Sequence, residues 1–339
     1  MITITGCLIV KNEEKVLARC LESLKDIVDE IIIIDTGSID KTKEIAKLYT
    51  NKIYDFSWVN DFSAARNFSF SKATMDYIYV ADADEMIDDD NRKKFLDLKQ
   101  TLLPEIEIVQ MQYTNQLQFN TTYNFDMEYR PKLYKRVRNF IWVDPIHESV
   151  VLQPVIYDSD IVIIHLPEDN HAARDFKTFR SVIKRGEKLS LKLQNLYARE
   201  LFIAGTDSDF LEAESYFEEQ AEEDLSYENL KVIHCVLAKC GRIKRNETQM
   251  FKYSLKNIAG GKPSAEICYV VGEYFYEKGD YKEATIWYYN AAYETESDLD
   301  IHYSGDYPLL RLSDCYDKLG IIEQARSYKE LADTWKPQQ

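Results

Sequence analysis

Ala81-Asp82-Ala83-Asp84-Glu85 follows directly on the apolar run Ile78-Tyr79-Val80 and sets three acids within four positions. Residues two apart in a strand share a face. A strand continued through this segment therefore predicts that Asp82 and Asp84 project side by side. Adjacent carboxylates repel unless a cation lies between them, and Mg2+ or Mn2+ prefers oxygen ligands of this kind. In open α/β sheets, ligands bind beyond the carboxyl ends of the strands. The alternative is a polar loop leading into Asp88-Asp89-Asp90, which is expected to cap a helix.

Other residues of the same chemical character recur along the first half of the chain. Asp35 ends the apolar run Ile31-Ile32-Ile33-Ile34. A carboxylate there can accept a hydrogen bond from a base N–H or a ribose hydroxyl, or simply cap the turn Asp35-Thr36-Gly37-Ser38. In Asp61-Phe62-Ser63-Ala64-Ala65-Arg66-Asn67, the fork of Arg66 suits a diphosphate; a surface salt bridge is the alternative. Trp142, Asp144, His147 and Glu148 cluster within eight residues, and an acid in a cleft can deprotonate an attacking hydroxyl or thiol. His165 closes the apolar run Ile161–Ile164. It can complete a metal site with Asp84 or be merely hydrogen-bonded.

These side chains need a sheet to hold them. Ile2–Val10, Ile31–Asp35, a short segment near Ile53, and the run ending at the acids all pattern as strands. Helices are expected between them: one capped by Asn12 with Glu13 and Glu14 in its first turn and Leu17, Leu21 and Leu24 on its inner face; one capped by Asp40 and carrying Ile45 and Leu48; and one from about Asp61 to Lys72. This alternation predicts a parallel sheet with right-handed crossovers. From about Glu105 the rhythm changes to strand-like segments without helices between them: Ile106 through Phe119, Tyr129–Tyr134, Phe140–Val143 and Ile161–His165.

After about Asp175 the pattern is helical and repetitive. Gly272, Phe275, Ala284, Tyr288 and Ala291 occupy the offsets of a tetratricopeptide (TPR) repeat, as do Leu312, Tyr316, Ala325, Ala332 and Pro337 in a second copy. Weaker copies are expected near Gln194 (with Tyr197, Ala213 and Phe217) and near Asn229. Such arrays bind partners or pack as scaffolds. Residues 1–172 and 173–339 are the expected domains.

The chain has 339 residues, 45% of them hydrophobic, with 58 acids against 42 bases and a net charge of −16. That balance excludes a nucleic-acid binder held mainly by phosphate contacts. Six cysteines show neither CxxC nor zinc spacing, so buried thiols in a reducing, cytoplasmic setting are expected. The N-terminus shows no signal-peptide pattern, and no apolar run reaches transmembrane length. Glycine-rich dinucleotide and P-loop motifs are missing, as is a GxSxG elbow. A phosphatase that begins with a strand-end Asp would need a second Asp where Gly37 stands.

Taken in order, Val10-Lys11-Asn12-Glu13-Glu14, Ile34-Asp35-Thr36-Gly37-Ser38-Ile39-Asp40-Lys41-Thr42, Asp61–Asn67, Ala81–Glu85, Arg130-Pro131-Lys132-Leu133-Tyr134 and His147-Glu148 resemble a family 2 glycosyltransferase of the GT-A fold over roughly residues 1–170. With TPR-like repeats behind them, they are similar to bacterial lipopolysaccharide-core and peptide glycosyltransferases. The resemblance implies an α/β GT-A domain of Rossmann-like mixed sheet followed by an all-α TPR-like domain. It implies inverting transfer of a sugar from a nucleotide-sugar donor, typically a UDP-sugar, to a hydroxyl or thiol on a glycan, peptide or protein. By residue, Asp35 would bind the base and Arg66 the nucleotide end of the donor, with Glu13 in the donor-binding set. Asp82 would meet the ribose or the water shell of the metal. Asp84 and His165 would hold Mn2+ or Mg2+. Glu148 would be the base, with His147 its rival, because His-Glu stands where the family pattern has Glu-Asp. A homodimer through the repeats is a further expectation. An inactive adaptor that keeps the GT-A domain is the alternative function, and a nucleotidyltransferase would want a glycine-rich basic loop where Lys11-Asn12-Glu13-Glu14 stands.

Overall fold

A computed structural model describes residues 1–114, 128–150, 154–166 and 172–336. The chain divides into two compact units, with the division between Val182 and Ile183. In the first unit the strands and helices alternate as the sequence predicts: β1 (Ile4–Val10), α1 (Leu17–Leu24), β2 (Glu30–Asp35), α2 (Thr42–Ala46), β3 (Ile53–Asp55), α3 (Phe62–Lys72) and β4 (Tyr77–Ala81). There follow β5 (Glu85–Met86), α4 (Asp89–Thr101), β6 (Ile108–Thr114), β7 (Glu128–Lys135), β8 (Trp142–Val143), β9 (Ser149–Val150), β10 (Ile156–His165) and α5 (Ala172–Lys184).

The main sheet has the order β3-β2-β1-β4-β7-β6-β10-β5. The first four strands are parallel, whereas β7 runs antiparallel to both β4 and β6. The sheet is thus mixed, as the resemblance implies. Burial on both faces explains the unbroken apolar strands. Ile4, Leu8 and Val10 of β1 and Ile33 of β2 pack with Leu17, Leu21 and Leu24 of α1. Cys7, Ile32, Ile34 and Ile78 face the other way, toward Phe68 and Phe70 of α3. Each such aliphatic side chain contributes roughly 1.5–3 kcal/mol on burial.

Several local expectations are corrected. Asn12 does not cap α1, which starts five residues later. Its backbone is left-handed (φ 58°), its amide donates to Ser38 Oγ (2.9 Å) and its side-chain oxygen accepts from the Ile39 amide (2.9 Å). Asn12 is thus spent on fastening the loop after β2. Asp40 does accept from the Thr42 amide (3.0 Å), but α2 stops at Ala46 and Leu48 lies beyond it, exposed. Asp88 caps α4 as expected, through the amide of Asn91, and Asp61 caps α3 through the amide of Ala64. The acids do not continue β4, which ends at Ala81. The expected extension of β6 to Phe119 falls outside the described residues.

The second unit is helical: α6 (Leu191–Ala204), α7 (Asp207–Gln220), α8 (Tyr227–Ile243), α9 (Glu247–Ile258), α10 (Ala265–Glu277), α11 (Tyr281–Tyr289), α12 (Asp306–Lys318) and α13 (Ile322–Thr334). These form the expected TPR-like pairs. Ala284, Tyr288, Leu312 and Ala332 lie in its core, while Pro337 is outside the described residues. The small residue at position 272 has a direct steric cause. A Cβ on Gly272 would stand 2.8 Å from the ring of Tyr288, and that ring is fully buried and hydrogen-bonded to Glu273 (2.7 Å).

Overpacking there gives the first testable outcome. Gly272→Ala is expected to cost about 1–3 kcal/mol, read as a lower urea midpoint of the full chain; an unchanged midpoint would show that the pair can spread freely. A second concerns acid stability. Buried Glu30 at the start of β2 meets Lys52, the Thr5 hydroxyl, and the Thr74 amide and hydroxyl (both 2.9 Å). Burial opposes its charge, but these partners outweigh it and hold the pKa at about 2 against an ordinary 4.5. A carboxyl depressed on folding stabilises above its unfolded pKa and loses that contribution as pH falls through the folded one. Glu30→Gln is therefore expected to flatten the stability–pH curve between about pH 4.5 and 2, relative to the parent.

Candidate active site

The segment after β4 is a turn. The Glu85 amide donates to the Asp82 carbonyl (3.1 Å), and the Asp82 amide donates to Glu85 Oε2 (3.2 Å). Glu85 then re-enters the sheet as β5, directly opposite His165 at the end of β10. The Leu166 amide donates to the Asp84 carbonyl (3.0 Å), and Arg19 of α1 donates to the Leu166 carbonyl (2.9 Å). This lacing brings His165 Nε2 to 3.2 Å from Asp84 Oδ2, across 81 residues of sequence. The Tyr113 ring lies against the imidazole, centroids 5.1 Å apart, and carries the Arg130 guanidinium at 4.0 Å from its own centre.

Asp82 goes a different way from Asp84. Its Oδ1 lies 3.6 Å from Arg66 Nη2 and its Oδ2 lies 3.9 Å from Lys132 Nζ. Burial disfavours its charge, yet Lys132 and Arg66 hold its pKa below the usual carboxylate range. Lys132 is itself buried and pairs with buried Glu85. Burial, reinforced by Asp82 and Asp84 and only partly offset by Lys132, pushes Glu85 up to about 7.

The motif on α3 grips the loop that carries the candidate base. The side chain of Asn67 donates to the Trp142 carbonyl (3.0 Å) and accepts from the Trp142 amide (2.9 Å). The Phe62 amide donates to the Pro145 carbonyl (2.8 Å). Arg66 donates to Glu148 Oε1 from Nη2 (3.0 Å) and Nε (3.3 Å), with its guanidinium 5.5 Å above the Trp142 ring. Trp142 is in turn wedged among Phe70, Tyr134 and Phe140. His147 sits in a left-handed conformation (φ 48°), and its ring faces Phe179 of α5, centroids 6.3 Å apart.

Asp35 lies apart, at the end of β2. Its Oδ1 accepts from the amides of Gly37 (2.9 Å) and Ser38 (3.0 Å). Burial opposes its ionisation, but the Ser38 hydroxyl, these amides and Lys43 (3.7 Å) together lower its pKa. Its Oδ2 is buried with no hydrogen bond among the described residues. Glu13 contributes backbone to the same end of the sheet: its amide donates to Thr42 Oγ1 (2.7 Å), and its carbonyl accepts from Val16 (3.2 Å) and Leu17 (3.0 Å).

Among the described residues, no three His, Cys, Asp or Glu side chains converge to hold a metal ion. Asp84 and His165 alone nevertheless suit one. Two ligands at right angles on a shared Mg2+-sized ion stand about 3 Å apart, which is the separation of this pair. Such ions are commonly held by one or two protein ligands, with substrate phosphates and water completing the shell. Carboxylate with imidazole is a donor set that Mn2+ accepts.

Residues 7–152 match the family model described as glycosyl transferase family 2. The match lies within the first unit. Glycosyltransferase SunS of Bacillus subtilis is 30% identical over 230 residues, covering 62% of this chain and 52% of that protein. A TPR repeat-containing protein of Synechococcus elongatus is 49% identical over 85 residues, 25% of this chain and 21% of its own length. The chain thus spans about half of the first relative and about a fifth of the second. Glucosyl-3-phosphoglycerate synthase of Mycobacterium tuberculosis, solved with Mg2+ and UDP, aligns over 56% of this chain and 81% of its own, at 13% identity and a TM-score of 0.41. A likeness of that degree decides nothing about this chain. No helix among the described residues is long and apolar enough to cross a membrane.

Lys132 and Glu85 stand inside two of the motifs read from the sequence, but that reading gave neither of them a role. The available signal was a lone lysine at a strand position flanked by Leu133 and Tyr134. Lys132→Met, which strands Glu85 without its cation, is expected to cost about 3 kcal/mol at pH 8. Lys132→Met with Glu85→Leu should recover most of that loss in a denaturant titration; a single variant as stable as the parent would refute the pairing.

Proposed function

We propose that this chain transfers a sugar from a UDP-sugar donor to a hydroxyl or thiol of a glycan, peptide or protein, with inversion and with a divalent cation. The observation that carries the reading is the Asp84–His165 pair at the end of β4, with the cation-flanked Asp82 beside it and Glu148 tied to Asp82 through a single arginine. The family 2 match supports glycosyl transfer. The cation, Mn2+ or Mg2+, would be held by Asp84 and His165 and would neutralise charge on the departing diphosphate.

Each residue of the chain then has a task. Asp35 offers a buried acceptor oxygen to a base N–H. Asp82, 46% exposed at its side chain, is open to a ribose hydroxyl or to metal-bound water. Glu148 gives Oε1 to Arg66 and keeps Oε2 for the acceptor proton. The acceptor oxygen or sulfur attacks the anomeric carbon from the face opposite the diphosphate. The glycosidic bond forms as the sugar–phosphate bond breaks, and the proton passes to Glu148. His147, turned toward Phe179, is less well directed for that task. All six cysteines are buried thiols, which supports the cytoplasmic expectation. The expected homodimer is not part of this reading.

Two carboxyl and imidazole ligands need the donor's phosphates to complete a metal shell, so donor and metal should bind together. UDP with Mn2+ is expected to raise the melting temperature of the full chain by more than the sum of either alone, since a ligand of the native state stabilises by mass action. Asp84→Ala should remove the synergy and the transfer activity while leaving the unliganded melting temperature nearly unchanged. Transfer retained by Asp84→Ala in Mn2+ would overturn the metal assignment. A chain indifferent to every nucleotide tested would favour the adaptor.

A further inference from the structure

Arg66 is poorly placed for the donor diphosphate that its motif suggests. Its side chain is only 7% exposed. Nε and Nη2 are spent on Glu148, and Nη1, which has no hydrogen-bond partner among the described residues, is buried away from solvent. The far more exposed Asp82 contacts the same guanidinium, and Trp142 lies against it. We propose that Arg66 is a positioning residue for Glu148, one guanidinium that fixes the acceptor-side carboxylate at a set distance from the donor-side carboxylate Asp82. This rests on the transferase reading above and deepens it.

The geometry favours such a strut. Nη2 stands 3.0 Å from Glu148 Oε1 and 3.6 Å from Asp82 Oδ1, so one planar group touches both halves of the reaction. A guanidinium fork is rigid, always charged and holds a carboxylate by two donors. Asn67, next along the same helix, fixes the loop that carries Glu148 by its paired bonds to Trp142. Arg66 orients the side chain, and Asn67 orients the backbone that bears it. The pair explains why Arg-Asn, as a unit, follows Asp61-Phe62-Ser63: the Asp61 cap and the Phe62 amide set the start of α3 against the same loop.

A double-mutant cycle on the full chain, with UDP-sugar and Mn2+, tests this. Glu148→Gln is expected to lower kcat for transfer by about 10²–10⁴, as for a lost general base. Arg66→Met should lower kcat by about 10–100-fold, with the donor KM and the UDP–Mn2+ melting shift within about 2-fold of the parent. The double variant should be no worse than Glu148→Gln alone within about 3-fold, because residues that act as one unit are not additive. Arg66→Lys keeps the charge and loses the fork; it serves where Arg66→Met fails to fold, and should show the same kcat loss at unchanged donor KM. Losses that multiply, or a donor KM raised about 10-fold with kcat kept, would overturn the inference and return Arg66 to the donor. A parent chain that neither binds UDP–Mn2+ nor transfers would overturn the transferase reading itself, a result distinct from either of these.

Discussion

Like charges crowded at one sheet edge repel, and the arrangement of the first unit follows from how that repulsion is met. Asp82, Asp84, Glu85 and Glu148 gather within a few side-chain lengths, divided among three partners: Asp82 to Arg66 and Lys132, Glu85 to Lys132, Glu148 to Arg66, and Asp84 to His165. Two buried cations, Arg66 and Lys132, are each shared by two of these acids. The cost of taking these groups out of water is offset only when every charge has a near partner. Asp84 lies against the imidazole of His165.

The scaffold serves that distribution of charge. β4 must stop at Ala81 so that the turn can aim Asp82 and Asp84 at different partners; a continued strand would have put both carboxylates on one face against each other. β5 is only two residues long, but its pairing with β10 carries Glu85 inward to Lys132 and places Asp84 beside His165. On the other flank, Phe70, Tyr134, Phe140 and Trp142 pack as a block, so the loop bearing Glu148 rests on a rigid floor. Edge-to-face aromatic contacts of this kind add about 0.5–1.5 kcal/mol each beyond burial.

What the sequence disclosed follows the range of the interactions involved. The β1–β4 alternation was legible because apolar periodicity is a local signal, and so was the cap at Asp88. The repeat offsets at Gly272 and Tyr288 were legible because a close helix approach demands a small residue opposite a large one. Asn12 misled because an asparagine ahead of two acids looks like a cap, and its real partners, Ser38 and Ile39, lie 26 and 27 residues on. Two neighbouring acids looked like neighbours in space, whereas the turn that separates them is set by β10, some 80 residues away. Lys132 was invisible as a functional residue because its two partners, Asp82 and Glu85, are brought to it only by the antiparallel insertion of β7 beside β4.

The same reasoning changes the reading of an arginine motif. An arginine among alanines near a nucleotide site suggests phosphate recognition, since phosphate is the commonest anion there. Recognition needs donor nitrogens directed to solvent, and burial decides that. Nη1 is buried without a hydrogen-bond partner among the described residues, and Nε and Nη2 are on Glu148, so Arg66 could turn its Nε–Nη2 edge to a diphosphate only by abandoning Glu148 and leaving that carboxylate, 13% exposed, without its cation. That exchange would weaken one charge pair to form another and gain little. As the guanidinium stands, Nη2 lies 3.0 Å from Glu148 and 3.6 Å from Asp82, so one cation serves both carboxylates without that exchange.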